Sequence, residues 1–286
     1  MQKKLDTVRT LIDAFPFIRM FRDQIVVIKY GGAAQTEPAL KEKFARDIAF
    51  LFLLGLKPVI VHGGGKKINQ VLDQLGIETS FENGQRVTSR ENMEVVEMVL
   101  SGSINKEITS LLNHHGAKAI GISGKDANFL KAHPKDTARF GYTGNITDID
   151  PGIVLGLIEE KFIPVIAPIA ASEAIGEPGY NINADLAASK IAVAIGARKV
   201  LFLTDTLGVL DKEKTLLSTL TEAQVEALKA DGTIQGGMIP KVDACLEAIE
   251  GGVEKAHIID GRIEHSILLE LFTSEGIGTV IKKEKK

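Results

Sequence analysis

The sequence predicts an α/β fold with a mainly parallel central sheet, on three observations. Short runs rich in Val and Ile, often flanked by glycine, read as strands buried on both faces. Helical patterns alternate with these runs along the chain, as helices crossing over a parallel sheet require. Glycine pairs or triplets follow the first two runs and precede a late helix, where an open α/β sheet collects its ligands.

In chain order, residues 2–22 set Leu5, Val8, Leu11, Ile12 and Phe15 at spacings of three and four, an amphipathic helix interrupted near Pro16. Strands are expected at IVVIKY (25–30), KPVIVH (57–62), KAIGIS (118–123), FIPVIAPIA (162–170), KVLFLTD (199–205) and KAHIIDG (255–261). Thr36 with Pro38 resembles a cap and first turn leading into the helix ALKEKFARDIAFLFLL. Further helices are expected at NMEVVEMVL, ADLAASKIAVAIGA, TEAQVEALKA and PKVDACLEAIEGG. From Asn128 to Asp150 the pattern breaks into Gly, Asn, Asp and Thr, which predicts loops or hairpins over a site. A second lobe begins near Ala197 without a flexible tether, so the chain divides into a 1–22 helix, a 23–196 lobe and a 197–286 lobe.

With 286 residues, 44% of them hydrophobic and 25% charged, the chain has ample material for a large core. A net charge of −3 gives no bulk attraction to nucleic acid or an anionic membrane. Cys245 is the sole cysteine, so no intrachain disulfide forms, which fits a reducing compartment. No signal-peptide pattern opens the sequence, and the run IAFLFLLG is too short to span a bilayer; a soluble, cytoplasmic protein is expected.

The chemistry gathers in three stretches. KYGG follows the first strand, HGGGKK the second, and GGMIPK precedes a helix. Glycine lets backbone N–H groups approach an anion, the following helix adds its positive end, and lysine adds a mobile point charge. Each alone is most simply a turn; three with lysine together point to phosphate. A P-loop and a dinucleotide fingerprint are both absent. Arg86 lies in a turn within ENGQRVT, where its fork could clamp a carboxylate, although a solvated loop arginine is the default. NINAD places Asn181, Asn183 and Asp185 at the start of a helix, with Asn183 a simple N-cap on its own. The six histidines lack metal-site spacing, Cys245 reads as a small core residue, and there is no nucleophile elbow.

In this order and rough spacing, KYGG, HGGGKKI, NGQRVT, NINAD and GGMIPKV resemble the amino-acid kinase family over nearly the whole chain. The likeness is greatest to members that phosphorylate the side-chain carboxylate of N-acetyl-L-glutamate to N-acetyl-L-glutamyl 5-phosphate early in arginine biosynthesis. It implies a three-layer αβα sandwich in two lobes. It also implies that Lys29 and Lys241 contact the phosphoryl group, that Gly32 and Gly64 donate N–H groups to it, and that Asp185 holds both lysines. Gly64, Gly65, Arg86 and Asn181 would bind N-acetylglutamate. ATP would meet Lys29, Gly32, Thr204, Asp205, Gly208, Gly237, Met238 and Lys241, with Mg2+ held by phosphates and water rather than by a protein metal site. The roles suit the chemistry. A carboxylate nucleophile with a pKa of about 4.3 is ionised at neutral pH and needs no general base, so charge stabilisation and positioning are what remain.

By the same resemblance, HIIDGRIEHSILLELFTSEGIGTVI carries an inhibitory L-arginine site formed by Lys199, His257, Glu270 and Gly276, with Glu275 an equal alternative carboxylate on chemistry alone. The 1–22 helix would then be an exchanged arm joining dimers into a homohexamer, against the simpler reading of a helix packed on its own domain. Sister kinases of other small acids and an arginine-responsive module without catalysis are the competing readings. A dinucleotide oxidoreductase lacks its fingerprint.

Overall fold

The computed structural model describes residues 1–284 except Asn83, and the side chains of Lys3 and Thr7 also fall outside the description. The NGQRVT motif is therefore described from Gly84 onward, and Lys285 and Lys286 lie outside the described residues.

All six expected strands form and lie side by side. The order across the sheet is Thr219–Thr221, Thr279–Lys282, Lys255–Asp260, Lys199–Thr204, Ile25–Tyr30, Lys57–His62, Ile163–Ala167 and Ala119–Ser123. The six strands from Lys255–Asp260 to Ala119–Ser123 are parallel, and Thr279–Lys282 runs antiparallel to its Lys255–Asp260 neighbour. The Ile25–Tyr30 strand is central, flanked by Lys57–His62 and by Lys199–Thr204, so the chain reverses its direction of travel across the sheet there. That reversal opens a crevice beyond the carboxyl ends of the strands.

Alternation along the central strand divides its side chains between two cores. Val26, Ile28 and Tyr30 join a cluster with Phe44, Ile48, Ile60 and Leu72. Val27 joins the opposite cluster with Val61, Phe202, Ala188 and Val242. Helices Ala184–Ala194, Ile239–Glu250 and Gly152–Glu159 cover the Val27 face, and Pro38–Leu53, Gly65–Leu75 and Ser266–Phe272 supply the other. The result is the expected three-layer αβα sandwich. Lys29, two residues after Val27, continues onto the face of the Ala184–Ala194 helix.

The 128–150 region is a hairpin of Leu130–Pro134 and Gly144–Ile149, as expected. Single bridges from Lys131 to Ala171 and from Thr143 to Asn181 stitch it to the turn before the Ala184–Ala194 helix. One helical rod runs from Arg90 to His114, with a π-helical segment, Met98–Ile104, in its middle. Among the described residues no helix is long and apolar enough to cross a membrane.

Several expectations are corrected. Pro16 lies inside a continuous Gln2–Phe21 helix rather than interrupting it. That helix is mostly exposed, so water can satisfy the carbonyl that proline leaves free. The long 162–170 strand ends at Ala167, and past Pro168 a two-residue strand, Ile169–Ala170, pairs instead with Tyr180–Asn181. Glu37, not Thr36, is the N-cap of Pro38–Leu53, because Thr36 closes the preceding 3-10 turn and its hydroxyl donates to the Ala33 carbonyl. Arg86 sits in a strand, Gln85–Val87, paired with Ser80–Glu82 about a turn at Gly84 (φ 75°), rather than in the turn itself.

Ile28 is fully buried at the centre of this sheet. Replacing it with alanine should lower the unfolding free energy by about 2–5 kcal/mol through the cavity left behind. Urea denaturation checks this, with the midpoint expected to fall and the slope to stay constant.

Candidate active site

The first core of the site is a carboxylate between two ammonium groups. Asn183 caps the Ala184–Ala194 helix, its side-chain oxygen accepting from the N–H groups of Asp185 at 2.8 Å and Leu186 at 3.1 Å. Asp185 therefore stands in the first helical turn, where the backbone favours negative charge. Its Oδ1 lies 3.0 Å from Lys29 Nζ, and its Oδ2 accepts from Lys241 Nζ at 2.9 Å. Lys29 arrives from the carboxyl end of the central strand, and Lys241 from the first turn of Ile239–Glu250, just after Pro240. Three elements thus converge on one carboxylate that is only 6% exposed.

Burial shapes the charges. It pushes the Asp185 pKa upward, but the two ammonium groups outweigh it and hold the carboxyl below its ordinary value. Burial lowers the Lys29 pKa, with Asp185 opposing and Lys241 adding to the shift, and the net direction is downward.

Both glycine loops stand beside this trio. Gly32 adopts φ 67°, and a Cβ there would lie 2.4 Å from Asp205 Oδ1. That same oxygen accepts from the Ala33 N–H at 2.7 Å, so Asp205 fastens the first loop to the end of the Lys199–Thr204 strand. A Cβ on Gly64 would press to 2.4 Å from Ile104 of the π-helical segment, whereas one on Gly65 would meet nothing within 4 Å. Gly64 is glycine for packing, and Gly65 leaves open space. A cleft of about 640 Å³ is lined by Lys29, Gly32, Gly64 and Gly65 among others.

Arg86 is buried beneath the second loop. Its guanidinium donates to Asn69 Oδ1 and Thr79 Oγ1, both at 2.5 Å, and to the Gly65 carbonyl at 3.4 Å. The Phe81 ring covers it at 4.7 Å. Burial lowers its pKa. The Asn181 amide donates to Thr88 Oγ1 at 3.2 Å. On the far side, Thr204 is buried and ends its strand, Gly237 is exposed, and Met238 packs on the core one turn before Lys241. Gly208 is buried against Thr279, where a Cβ would come within 2.6 Å of the hydroxyl, so packing accounts for it.

Residues 24–260 match the amino acid kinase family. An acetylglutamate kinase of a Nitratiruptor species is 68% identical over 98% of this chain and 99% of its own. One of Sulfurimonas denitrificans is 70% identical over the same shares. The chain belongs to the amino acid kinase family, in its acetylglutamate kinase branch. Among solved structures, an N-acetylglutamate synthase from Neisseria gonorrhoeae, complexed with coenzyme A and N-acetyl-glutamate, superposes with a TM-score of 0.87 at 26% identity. That match covers 98% of this chain and 64% of the longer synthase. Carbamate kinase from Giardia lamblia, at 19% identity and a TM-score of 0.70 over 92% of this chain and 99% of its own, shares the amino acid kinase fold.

This family member also assembles the four residues named for arginine. His257 Nδ1 lies 2.6 Å from Glu270 Oε1, and the Ile277 N–H donates to Glu270 Oε2 at 2.9 Å. Gly276 (φ 64°) closes against the same carboxylate. Lys199 Nζ stands 4.6 Å above the Phe21 ring, at the end of the first helix, and burial lowers its pKa to about 8. Glu275 is exposed and stands outside this group. His257 Nε2 is buried without a partner among the described residues.

Sequence reasoning missed Asn69 and Thr79, which orient Arg86, and Gln35, whose amide donates to the Gly63 carbonyl at 2.9 Å. Asn69 was within reach: Ile68, Val71, Leu72 and Leu75 mark a helix directly after HGGG, and Asn69 falls one turn after Gly65 on it. Gln35 and Thr79 carry no such signal.

Asp185→Asn should remove the charge that opposes the lowering of the Lys29 pKa. A lysine with a lowered pKa loses its proton, and its function, as pH rises through that pKa. The alkaline limb of the pH–rate profile should therefore move to lower pH in the variant, with kcat reduced about 100-fold at neutral pH. An unmoved alkaline limb would separate Asp185 from the ionisation of Lys29.

Proposed function

We propose that the chain transfers the γ-phosphoryl group of ATP to the side-chain carboxylate of N-acetyl-L-glutamate, giving N-acetyl-L-glutamyl 5-phosphate and ADP, and that L-arginine inhibits it. The observation that carries the reading is the Lys29–Asp185–Lys241 trio set between two glycine loops. The substrate carboxylate oxygen attacks the γ-phosphorus, and the bond to the β,γ-bridging oxygen breaks as ADP departs. Negative charge spreads over the equatorial oxygens during transfer. Two ammonium groups and the N–H groups of Gly32 and Gly64 suit that charge, and their fixed positions avoid reorganisation.

Arg86 would take the α-carboxylate, since its guanidinium has five donors and two of its present partners are neutral side chains. Gly65 and Asn181 would complete the acceptor side. The nucleotide would lie over the second lobe, near Thr204, Asp205, Gly208, Gly237 and Met238. Mg2+ would come with the nucleotide and be held by phosphates and water. Asp185 fits this arrangement, because both its oxygens already face lysines.

For regulation, the His257–Glu270–Lys199 group beside Phe21 supports an arginine site coupled to the first helix. A carboxylate suits a guanidinium. The first helix leaves Leu5, Val8, Leu11, Ile12 and Phe15 exposed on one stripe while its end docks through Phe21 on Phe272. A stripe of that kind fits an arm exchanged between dimers in a homohexamer.

Hydroxylamine trapping of acyl phosphate from MgATP tests the activity. A strong signal is expected with N-acetyl-L-glutamate and little with glutamate or aspartate; the reverse ranking would move the chain to a sister kinase. Lys29→Ala or Lys241→Ala should lower kcat by about 100-fold or more with the fold intact. Deleting residues 1–22 should abolish the hexamer in light scattering and weaken arginine inhibition. A truncated protein that remains hexameric and arginine-sensitive would refute the arm.

A further inference from the structure

We propose that His62 is a positioning residue for the second glycine loop, its Nδ1–H holding the Gly63 carbonyl and thereby aiming the Gly64 N–H. The kinetic part of the argument rests on the phosphotransfer reading above; the structural part does not.

His62 ends the Lys57–His62 strand and is fully buried. Its Nδ1 lies 3.0 Å from the Gly63 carbonyl oxygen. A carbonyl only accepts, so Nδ1 carries the proton. The other ring nitrogen gives the same answer independently. Asn105 Nδ2 stands 3.2 Å from His62 Nε2, 2.8 Å from the Val165 carbonyl and 3.3 Å from that of Ile122. Lys106 Nζ donates to Asn105 Oδ1 at 3.1 Å and to the Gly121 carbonyl at 2.7 Å. An ammonium has no acceptor, so it fixes which end of the amide is oxygen, and the NH2 end faces His62. Nε2 therefore faces a donor group and meets no acceptor for a proton of its own, and the ring is held neutral as the Nδ1–H tautomer. Burial agrees, lowering the His62 pKa to about 4.

The consequence for the loop follows from the planar peptide. The Gly63 carbonyl and the Gly64 N–H belong to one rigid unit and point in opposite directions. Fixing the carbonyl on the His62 side fixes the N–H on the other. Gln35 donates to the same carbonyl at 2.9 Å, so the first glycine segment and the second share one anchor. The Arg90–His114 rod supports the arrangement twice. Leu100 and Ile104 of its π-helical segment press on the Gly64 position at 2.6 and 2.4 Å from an added Cβ, and Asn105, the next residue, reaches His62. Gly121 leaves the room this needs, since a Cβ there would fall 1.8 Å from Asn105 Oδ1. A π-helical segment beside a functional loop is a recurring use of that geometry.

Two substitutions separate positioning from filling. His62→Asn keeps a donor at the place of Nδ1, while His62→Gln reaches the place of Nε2 and leaves the Gly63 carbonyl to Gln35. Long-range nitrogen–proton NMR of the wild-type chain should give the Nδ1–H tautomer for His62. His62→Gln should lower kcat by about 10- to 100-fold, the scale of a displaced donor, with KM for both substrates within about 2-fold. His62→Asn should keep kcat within about 3-fold of wild type. The Gly64 amide resonance should move in His62→Gln and stay in His62→Asn. An Nε2–H tautomer, or equal loss in the two variants at matched melting temperature, would overturn the proposal. A wild-type chain inert toward N-acetyl-L-glutamate would strike the phosphotransfer reading alone, and the tautomer and the Gly64 resonance would still decide this one.

Discussion

The structure depends on a buried carboxylate shared by two lysines. An isolated charge in the interior costs several kcal/mol of lost hydration, and Lys29, Asp185 and Lys241 are all withdrawn from water together. One carboxylate against two ammonium groups leaves a net positive charge, and that excess is what an anion entering the cleft would meet. Replacing the trio with apolar residues would remove the desolvation cost but also the excess charge. The arrangement is a case in which stability is surrendered at a site for the sake of its electrostatics.

Geometry makes this possible through the strand period. Lys29 follows Val27 by two residues, so the alternation that buries Val27 under the Ala184–Ala194 helix carries Lys29 toward the start of the same helix. A shift of one residue would send it to the Phe44 side, away from Asp185. The helix start is fixed in turn by Asn183, whose cap places Asp185 in the first turn. Register and cap therefore set the trio, and the glycine loops need only follow the strands.

Much of this was legible in the sequence for physical reasons. Strands buried on both faces must be apolar throughout, so all six were visible, and glycine loops with a neighbouring lysine marked the carboxyl ends of the first two. Asn183 announced itself as a cap. The hidden parts share a different cause. Thr219–Thr221 and Thr279–Lys282 are short strands at one edge of the sheet, with too few residues to set a pattern. The Ser80–Val87 hairpin depends on pairing rather than on apolar content, which is why Arg86 was read as a turn residue. The π-helical segment is invisible in composition, because it consists of one helical pattern with an altered bond register. Proline misled in opposite senses: Pro16 was expected to interrupt the first helix, which runs through it in water, while the 162–170 strand was expected to run through Pro168, where it ends.

The continuous sheet also limits how the site can move. Lys29 and Asp185 precede Ala197 in the chain and Lys241 follows it, yet Ile25–Tyr30 pairs directly with Lys199–Thr204 through backbone hydrogen bonds. A hinge near Ala197 would have to break or twist that ladder and pull Lys241 from Asp185, leaving the buried carboxylate with Lys29 alone. Large lobe rotation is therefore opposed by the same interaction that forms the site. The Asp205–Leu207 and Gln235–Gly237 turns lie outside this ladder and are exposed. The sheet, the trio and the His62-anchored loop thus form one continuous unit beside the cleft.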